Sequence, residues 1–303
     1  MPLIALDGLT KRYPGGVTAL DSLSLELEPG IVGLVGANGA GKSTLLRILL
    51  GLLEPTAGRA RVLDLDVATS GTLIRQFVGY MPESDCLPPD ASATDFVTHM
   101  GRLSGLPTTA ARERTAEVLR HVGLYEERYR SIGTYSTGMR QRVKLAQAIV
   151  HDPRLLLLDE PTNGLDPAGR DEMLALVRRI GLEFGIAIVV ASHLLGEIER
   201  VADYLVAIDA GRLLRAAPLG DFTEQTGTLA IEVEEGQQAL ADALRAHGLD
   251  VTVDGRLVLI GPTRTPAFDL VRDAVAGLDL PLVRLEQRRH SLEDLFRDEE
   301  PAA

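Results

Sequence analysis

A single cysteine, Cys86, stands in 303 residues, so no internal disulfide can form and a reducing compartment is expected. No run of 18 apolar residues occurs. The closest, Leu45 to Leu53, is broken by Arg47 and Gly51, which excludes a transmembrane helix. The N-terminus has no basic start followed by an apolar core, so no secretory signal peptide is expected there. Positive charge is also scarce: 31 Lys plus Arg oppose 43 Asp plus Glu, a net of −12. From Phe222 onward, 8 Arg and no Lys face 16 acidic residues, a net of −8 that leaves −4 for the first 221 residues. A phosphate-backbone partner calls for a basic face, so nucleic acid is not expected as a partner. What is present, 45% apolar and 24% charged residues, fits an ordinary soluble globular protein of one large domain or two smaller ones.

The most informative stretch is Gly36-Ala37-Asn38-Gly39-Ala40-Gly41-Lys42-Ser43-Thr44. It fits G-x-x-x-x-G-K-[ST], the loop that cradles phosphates. Ile31 to Val35 reads as a short buried strand before it, and Leu45 to Leu50 as the helix after it. Three glycines let successive N–H groups face one concavity, and the positive end of the helix starting near Lys42 points the same way. Lys42 then reaches the β- and γ-phosphates of a nucleotide triphosphate, and the Ser43 hydroxyl serves Mg²⁺.

Around this loop the first 216 or so residues alternate strand-like and helix-like segments, the pattern of an α/β domain with a mainly parallel sheet. Leu23 to Leu27 alternates apolar and polar residues, and Phe77 to Met81 is a short strand before the loop Pro82 to Pro89. Arg154 to Leu158 and Ile186 to Ala191 are continuous apolar runs, as in strands buried on both faces. Between Ala91 and Val150 helical spacing replaces the strands, which predicts an inserted helical subdomain over about 91–150. Pro218 to Thr226 reads as a linker. Beyond it, over 227–303, the order strand, helix, strand, strand, helix, strand suggests a small ferredoxin-like βαββαβ sandwich, with Asp254-Gly255 as a type I′ hairpin turn. RNA-binding modules of that topology stack bases on strand aromatics, and these four strands have none. Ser291 to Phe296 suggests a closing helix, and Asp298 to Ala303 a frayed end.

Two further segments carry chemistry. Leu155 to Leu158 delivers Asp159 and Glu160 at the C-terminal end of a buried strand, the edge at which open α/β sheets bind ligands. Alone, four apolar residues and an acidic pair would suit a solvated turn; beside the phosphate loop, one carboxylate suits the Mg²⁺ shell and the other the attacking water. Tyr135 to Arg142 precedes a helix running through Val150, which Ser136 can cap, and Gly138 permits close backbone approach to an anion. The octet begins 93 residues beyond Lys42 and 24 before Asp159.

In this order the motifs resemble those of the ATP-binding subunits of ABC (ATP-binding cassette) transporters. Tyr13 precedes the core, and the Walker A loop is Gly36 to Thr44. Next come a loop at Tyr80-Met81-Pro82-Glu83 and the signature segment Tyr135 to Met139. The Walker B strand ends at Asp159-Glu160, the D-loop is Asn163-Gly164-Leu165-Asp166, and the switch histidine is His193. The resemblance covers about residues 3 to 216 and places a cassette, a P-loop NTPase fold, at 1–217. It implies that Tyr13 stacks on adenine, that Lys42 and the loop amides hold phosphates, and that Ser43 and Asp159 serve Mg²⁺. Glu160 is then the general base, and His193 contacts the γ-phosphate. Ser136 and Gly138 are implied to bind the γ-phosphate of ATP held by a second cassette, so a homodimer with two equivalent sites is expected on ATP binding. Integral-membrane permease subunits are the implied partners, with the cassette on the cytoplasmic face of the membrane.

Two motifs depart from the family pattern. Its usual Leu-Ser-Gly-Gly-Gln is here Tyr135-Ser136-Thr137-Gly138-Met139, and its usual loop glutamine is Glu83, which still offers oxygen to Mg²⁺. These variants and the C-terminal extension resemble exporter-type cassettes. The competing reading, a soluble ABC ATPase acting on the ribosome or on nucleic acid, conflicts with a single cassette, the lack of a long coiled-coil insertion and the acidic charge.

Overall fold

Strands from both halves of the first 219 residues build the sheet that carries the phosphate loop. The computed structural model describes residues 2–223, 225–261 and 267–289, and its backbone divides into two compact units, Met1–Leu219 and Gly220–Ala303. The expected closing helix at Ser291 to Phe296 and the frayed end beyond it lie outside the described residues.

In the first unit six strands are ordered Arg212–Pro218, Tyr204–Asp209, Ile31–Val35, Ala187–Ser192, Leu155–Asp159 and Val78–Met81. Every neighbouring pair is parallel except the outer hairpin of the first two. Ile31–Val35, Leu155–Asp159 and Ala187–Ser192 are buried at every residue, which explains their unbroken apolar runs. A second sheet, which the sequence reading did not anticipate beyond Leu23 to Leu27, is antiparallel. Its order is Thr18–Leu27, Ile4–Arg12, Ala57–Val62, Leu65–Asp66. Leu45, Leu46 and Leu49 of the helix Lys42–Leu49 share one core with Leu6, Leu20 and Leu23 of that sheet and Val32, Val189 and Val206 of the parallel one. The helix that follows the phosphate loop is thereby packed between the two sheets.

Between 91 and 150 the chain is helical, with helices Ala93–Leu103, Thr108–His121 and Thr137–Ile149. Ser92 Oγ accepts from Asp95 N and Ser136 Oγ from Met139 N, satisfying donors that helix starts leave free. The 18-residue helix Pro167–Phe184 begins with Asp166 as its cap and Pro167 in its first turn, and ends at Gly185 with φ 63°, the usual punctuation at the two ends.

In the second unit the elements run Gln225–Val233, Gln237–Ala246, Val251–Asp254, Leu257–Ile260, Ala267–Gly277 and Leu282–Arg289. The antiparallel sheet order is Val251–Asp254, Leu257–Ile260, Gln225–Val233, Leu282–Arg289. Residues 218–226, expected as a linker, hold the end of one strand, a helix Leu219–Thr223 and the start of another strand. The hairpin turn also differs from expectation. Asp254 pairs with Leu257, so Gly255 and Arg256 are the central residues, and only Gly255 has positive φ, 57°. A type I′ turn needs positive φ at both centres, whereas II′ needs it only at the first, where glycine stands.

Candidate functional site

Adjacent parallel strands bring the expected residues to one edge of the sheet. Val35 registers with Ser192, Ala191 with Asp159, and Leu158 with Met81. The segments that follow these strands, 36–44, 159–160, 193 and 82–83, therefore converge at their C-terminal ends, where open α/β sheets bind ligands. A cavity of about 320 Å³ lies there, lined by the loop residues Ala37, Asn38, Gly39, Gly41, Lys42, Ser43 and Thr44, with Ala19, Glu83 and Glu160.

The loop's shape depends on its three glycines, Gly39 through its positive φ of 87° and the other two through close contacts. Gly41 has φ 106°, and a Cβ there would sit 2.4 Å from the Ala19 carbonyl oxygen. A Cβ on Gly36 would meet the Ile208 carbonyl oxygen at 2.3 Å. Neither position accepts a side chain, so the backbone can pass close to the sheet and turn its amides outward. Helix Lys42–Leu49 then starts with Gly41 as its cap residue and no side-chain partner for its first amides, leaving them free for an anion.

Lys42 is 5% exposed. Its Nζ donates to the Gly36 and Ala37 carbonyls at 2.7 and 3.3 Å and lies 3.4 Å from Glu160 Oε1. Glu160 Oε2 accepts from His193 Nδ1 at 2.9 Å; since a carboxylate only accepts, this contact assigns the Nδ1 proton and turns Nε2 away from Glu160. Glu160 itself adopts φ 50°, a left-handed conformation that costs a non-glycine residue about 1–3 kcal/mol and clusters at functional sites. Ser43 Oγ donates to Asp159 Oδ1 at 3.1 Å, and the Tyr80 hydroxyl approaches Oδ2 at 3.5 Å. Burial pushes the Asp159 carboxyl above its ordinary pKa; the Ser43 hydrogen bond opposes this, and the charges of Glu83 and Glu160 add to it. Burial, then the Asp159 charge, pushes Tyr80 up to about 12.

Glu83 reaches the same edge, with Oε1 accepting from Asn163 Nδ2 at 3.1 Å. Tyr13 stands at its rim: its hydroxyl is 3.4 Å from Thr44 Oγ1, and Lys11 Nζ lies 5.5 Å from the ring centroid. Ser136 and Gly138 do not line the cavity. They sit at the start of helix Thr137–Ile149, whose Gln141 Nε2 donates to the Asn163 carbonyl at 3.0 Å. A Cβ on Gly138 would meet nothing nearer than 3.8 Å, so nothing within this chain demands glycine there.

Sequence reasoning missed three supporting groups. Lys144, 3% exposed, donates from Nζ to the Glu83 carbonyl at 2.9 Å, and burial lowers its pKa. Gln141 and Lys144 are polar residues on the otherwise apolar buried face of their helix, the one local signal that could have marked them. Glu197, with Thr162 and Ser192, has no local signature at all.

The oxygen-rich set of Ser43, Asp159 and Glu83 suits a hard divalent cation. Among the described residues no group of three or more His, Cys, Asp or Glu is placed to hold a metal by itself. Mg²⁺, which binds through one or two carboxylates and substrate phosphates, fits such a set. No helix among the described residues is long and apolar enough to cross a membrane.

The ABC transporter family model matches residues 20–163. The daunorubicin/doxorubicin resistance ATP-binding protein DrrA of Streptomyces peucetius is 37% identical, over 98% of this chain and 90% of that protein. The Nod factor export ATP-binding protein I of Ralstonia nicotianae is 33% identical, over 97% and 92%. Among solved structures, the ATP-binding cassette MJ0796, a dimer in a post-hydrolysis state with ADP and Pi, aligns with TM-score 0.65 and 25% identity, covering 71% of this chain and 98% of that one.

Proposed function

The chain belongs to the ABC transporter family as an ATP-binding and ATP-hydrolysing subunit, and from that premise we propose that it powers export through separately encoded membrane-spanning subunits. One observation carries the catalytic part: Lys42, Glu160 and His193 form a continuous chain of contacts at 3.4 and 2.9 Å beside the phosphate loop. The amides of Gly36 to Thr44 and Lys42 hold the phosphates of ATP, and Tyr13 at the rim stacks on the base. Glu160 takes a proton from the attacking water; His193 orients that carboxylate through Nδ1 and directs Nε2 to the γ-phosphate. Ser43 and Asp159, with Glu83 beside them, hold Mg²⁺, which neutralises charge on the phosphate oxygens when bound.

Ser136 and Gly138 complete the site from a second copy. They lie away from this chain's own cavity at the start of a helix whose positive end suits an anion, with Ser136 Oγ capping Met139 N, and Gly138 keeps an approach open that its own fold does not require. Two chains closing on two ATP molecules therefore form two equivalent sites. The cassette then works in the cytoplasm, held at the inner face of the membrane by permease subunits. Ribosome or nucleic-acid action is not favoured, because the net charge of −12 offers no attraction to phosphate backbones. The second unit is proposed as a ferredoxin-like appendage that tunes closure of the cassettes or touches the permease.

Co-purification with the product of the neighbouring reading frame, reconstituted in vesicles, tests the reading. ATP hydrolysis stimulated by that protein and lost in Lys42→Ala is expected; stimulation by ribosomes or DNA instead would contradict it.

A further inference from the structure

The turn after Glu160 and the turn that carries His193 are joined by a side chain that touches neither residue. Glu197, on the helix Leu195–Val201, is 7% exposed. Its Oε2 accepts from Thr162 Oγ1 at 2.7 Å and from Ser192 Oγ at 2.8 Å. Both donors are buried, Thr162 at 3% and Ser192 at 0% exposure. Thr162 stands two residues after Glu160, and Ser192 immediately precedes His193. Ser192 Oγ also accepts from Leu194 N at 3.1 Å, and Asn163 N donates to the Glu160 carbonyl at 3.1 Å, so each turn is closed on itself and pinned to the other through one carboxylate oxygen. Glu197 Oε1 has no hydrogen-bond partner; Arg170 Nε lies 4.0 Å away.

Packing alone would be met by an apolar side chain, and a buried carboxylate is costly unless its partners compensate it. Here the two donors come from separate turns and converge on one atom, so what the carboxylate fixes is the spacing of those turns. Those two turns carry the 2.9 Å contact between His193 and Glu160, and the left-handed backbone of Glu160 persists only under restraint from its surroundings.

We propose that Glu197 is a positioning residue for ATP hydrolysis, clamping the Thr162 and Ser192 turns so that Glu160 and His193 stay aligned on the attacking water. The proposal rests on the reading of Glu160 as general base. It predicts a loss in the chemical step and little change in nucleotide binding.

The test is single-turnover and steady-state ATPase measurement on the full chain carrying Glu197→Ala, Glu197→Gln, Glu160→Gln, and Glu160→Gln with Glu197→Ala. Glu197→Ala should lower kcat by about 30- to 100-fold, the scale of an ångström-sized misplacement, with KM for ATP within about 3-fold of the parent. Glu197→Gln keeps an oxygen that both hydroxyls can reach and should recover kcat to within about 5-fold. In the Glu160→Gln background, removing Glu197 should change the residual rate by less than about 2-fold, because its effect runs through Glu160. Where Glu197→Ala does not fold, Thr162→Val with Ser192→Ala removes the same two hydrogen bonds and carries the same expectation. A parental kcat in Glu197→Ala, equal losses in the Ala and Gln variants, or an additive loss in the double variant would each overturn the clamp. Turnover persisting in Glu160→Gln would overturn the reading of the site itself. A dead Glu160→Gln beside a full-rate Glu197→Ala would remove the clamp alone.

Discussion

Ten polar or charged side chains are buried among the described residues, from Thr10 to Glu197, and all lie in the unit Met1–Leu219. Among the described residues of the unit Gly220–Ala303 no polar or charged side chain is buried, and twelve buried apolar residues form its core. Yet the second unit carries the denser negative charge, −8 over residues 222–303, and none of its described charged side chains is buried. Burying a polar group is unfavourable unless it is paired. The first unit accepts that cost around Lys42, Asp159, Glu160, Thr162, Ser192 and Glu197, where each group supports another. The difference teaches where the chemistry resides: the first unit is built to hold charges in fixed relation, the second to be stable.

The largest expected effect falls on Glu160. Glu160→Gln should lower ATP turnover by about 10²- to 10⁴-fold, the worth of a general base, while Mg-ATP binding measured by equilibrium titration persists. Lys42→Ala should abolish turnover with the fold intact by circular dichroism; normal rates would undo the phosphate-loop assignment. On the other side of the comparison, Leu244→Ala removes a fully buried side chain from the second unit and should cost that unit about 2–5 kcal/mol in chemical denaturation. ATP affinity should stay within about 2-fold, since Leu244 packs in a core that shares no residue with the one beneath the phosphate loop. A parallel collapse of ATP binding would show that the two units do not divide the work.

A subtler effect concerns Asp159. Burial raises its pKa, so in the interval from its unfolded pKa up to the raised folded value the folded chain binds more protons than the unfolded one. Its contribution to stability is therefore favourable at low pH and is lost as pH rises through that window. Asp159→Asn should raise the apo-protein melting temperature at pH 7, flatten its pH dependence across the acid window and impair Mg²⁺-dependent hydrolysis. A lower melting temperature for Asp159→Asn would show that pairing with Ser43 outweighs burial. Smallest of all, Tyr80 should stay protonated until about pH 12, read as a late phenolate absorbance step that Tyr80→Phe removes.

Much of this arrangement was legible in the sequence, because phosphate loops need glycines at fixed spacing and buried parallel strands need unbroken apolar runs. Gly36 to Thr44, Leu155 to Glu160 and Ile186 to His193 stand where those requirements put them. The antiparallel sheet was not legible. Ala57–Val62 reads AGRARV, with buried side chains only at Ala60 and Val62, and it pairs with Ile4–Arg12 some fifty residues earlier through a register shift. The strand Gln225–Val233 begins in Gln, Thr and Gly, a composition that reads as a loop until its pairing partner at Leu282–Arg289 is known. The clamp was invisible for a different reason: Glu197 meets Thr162 across 35 residues of chain, and nothing local marks a glutamate on a short helix as buried.

The composite site is tested most directly by the mass of Glu160→Gln in solution, with and without Mg-ATP, by light scattering behind size-exclusion chromatography. The account predicts twice the chain mass with Mg-ATP and a monomer without it. Adding Gly138→Asp, at a position where a Cβ meets nothing in this chain nearer than 3.8 Å, should return the ATP-bound protein to a monomer by placing a carboxylate against the γ-phosphate. A Glu160→Gln protein that binds ATP yet stays monomeric, or a dimer indifferent to Gly138→Asp, would contradict it.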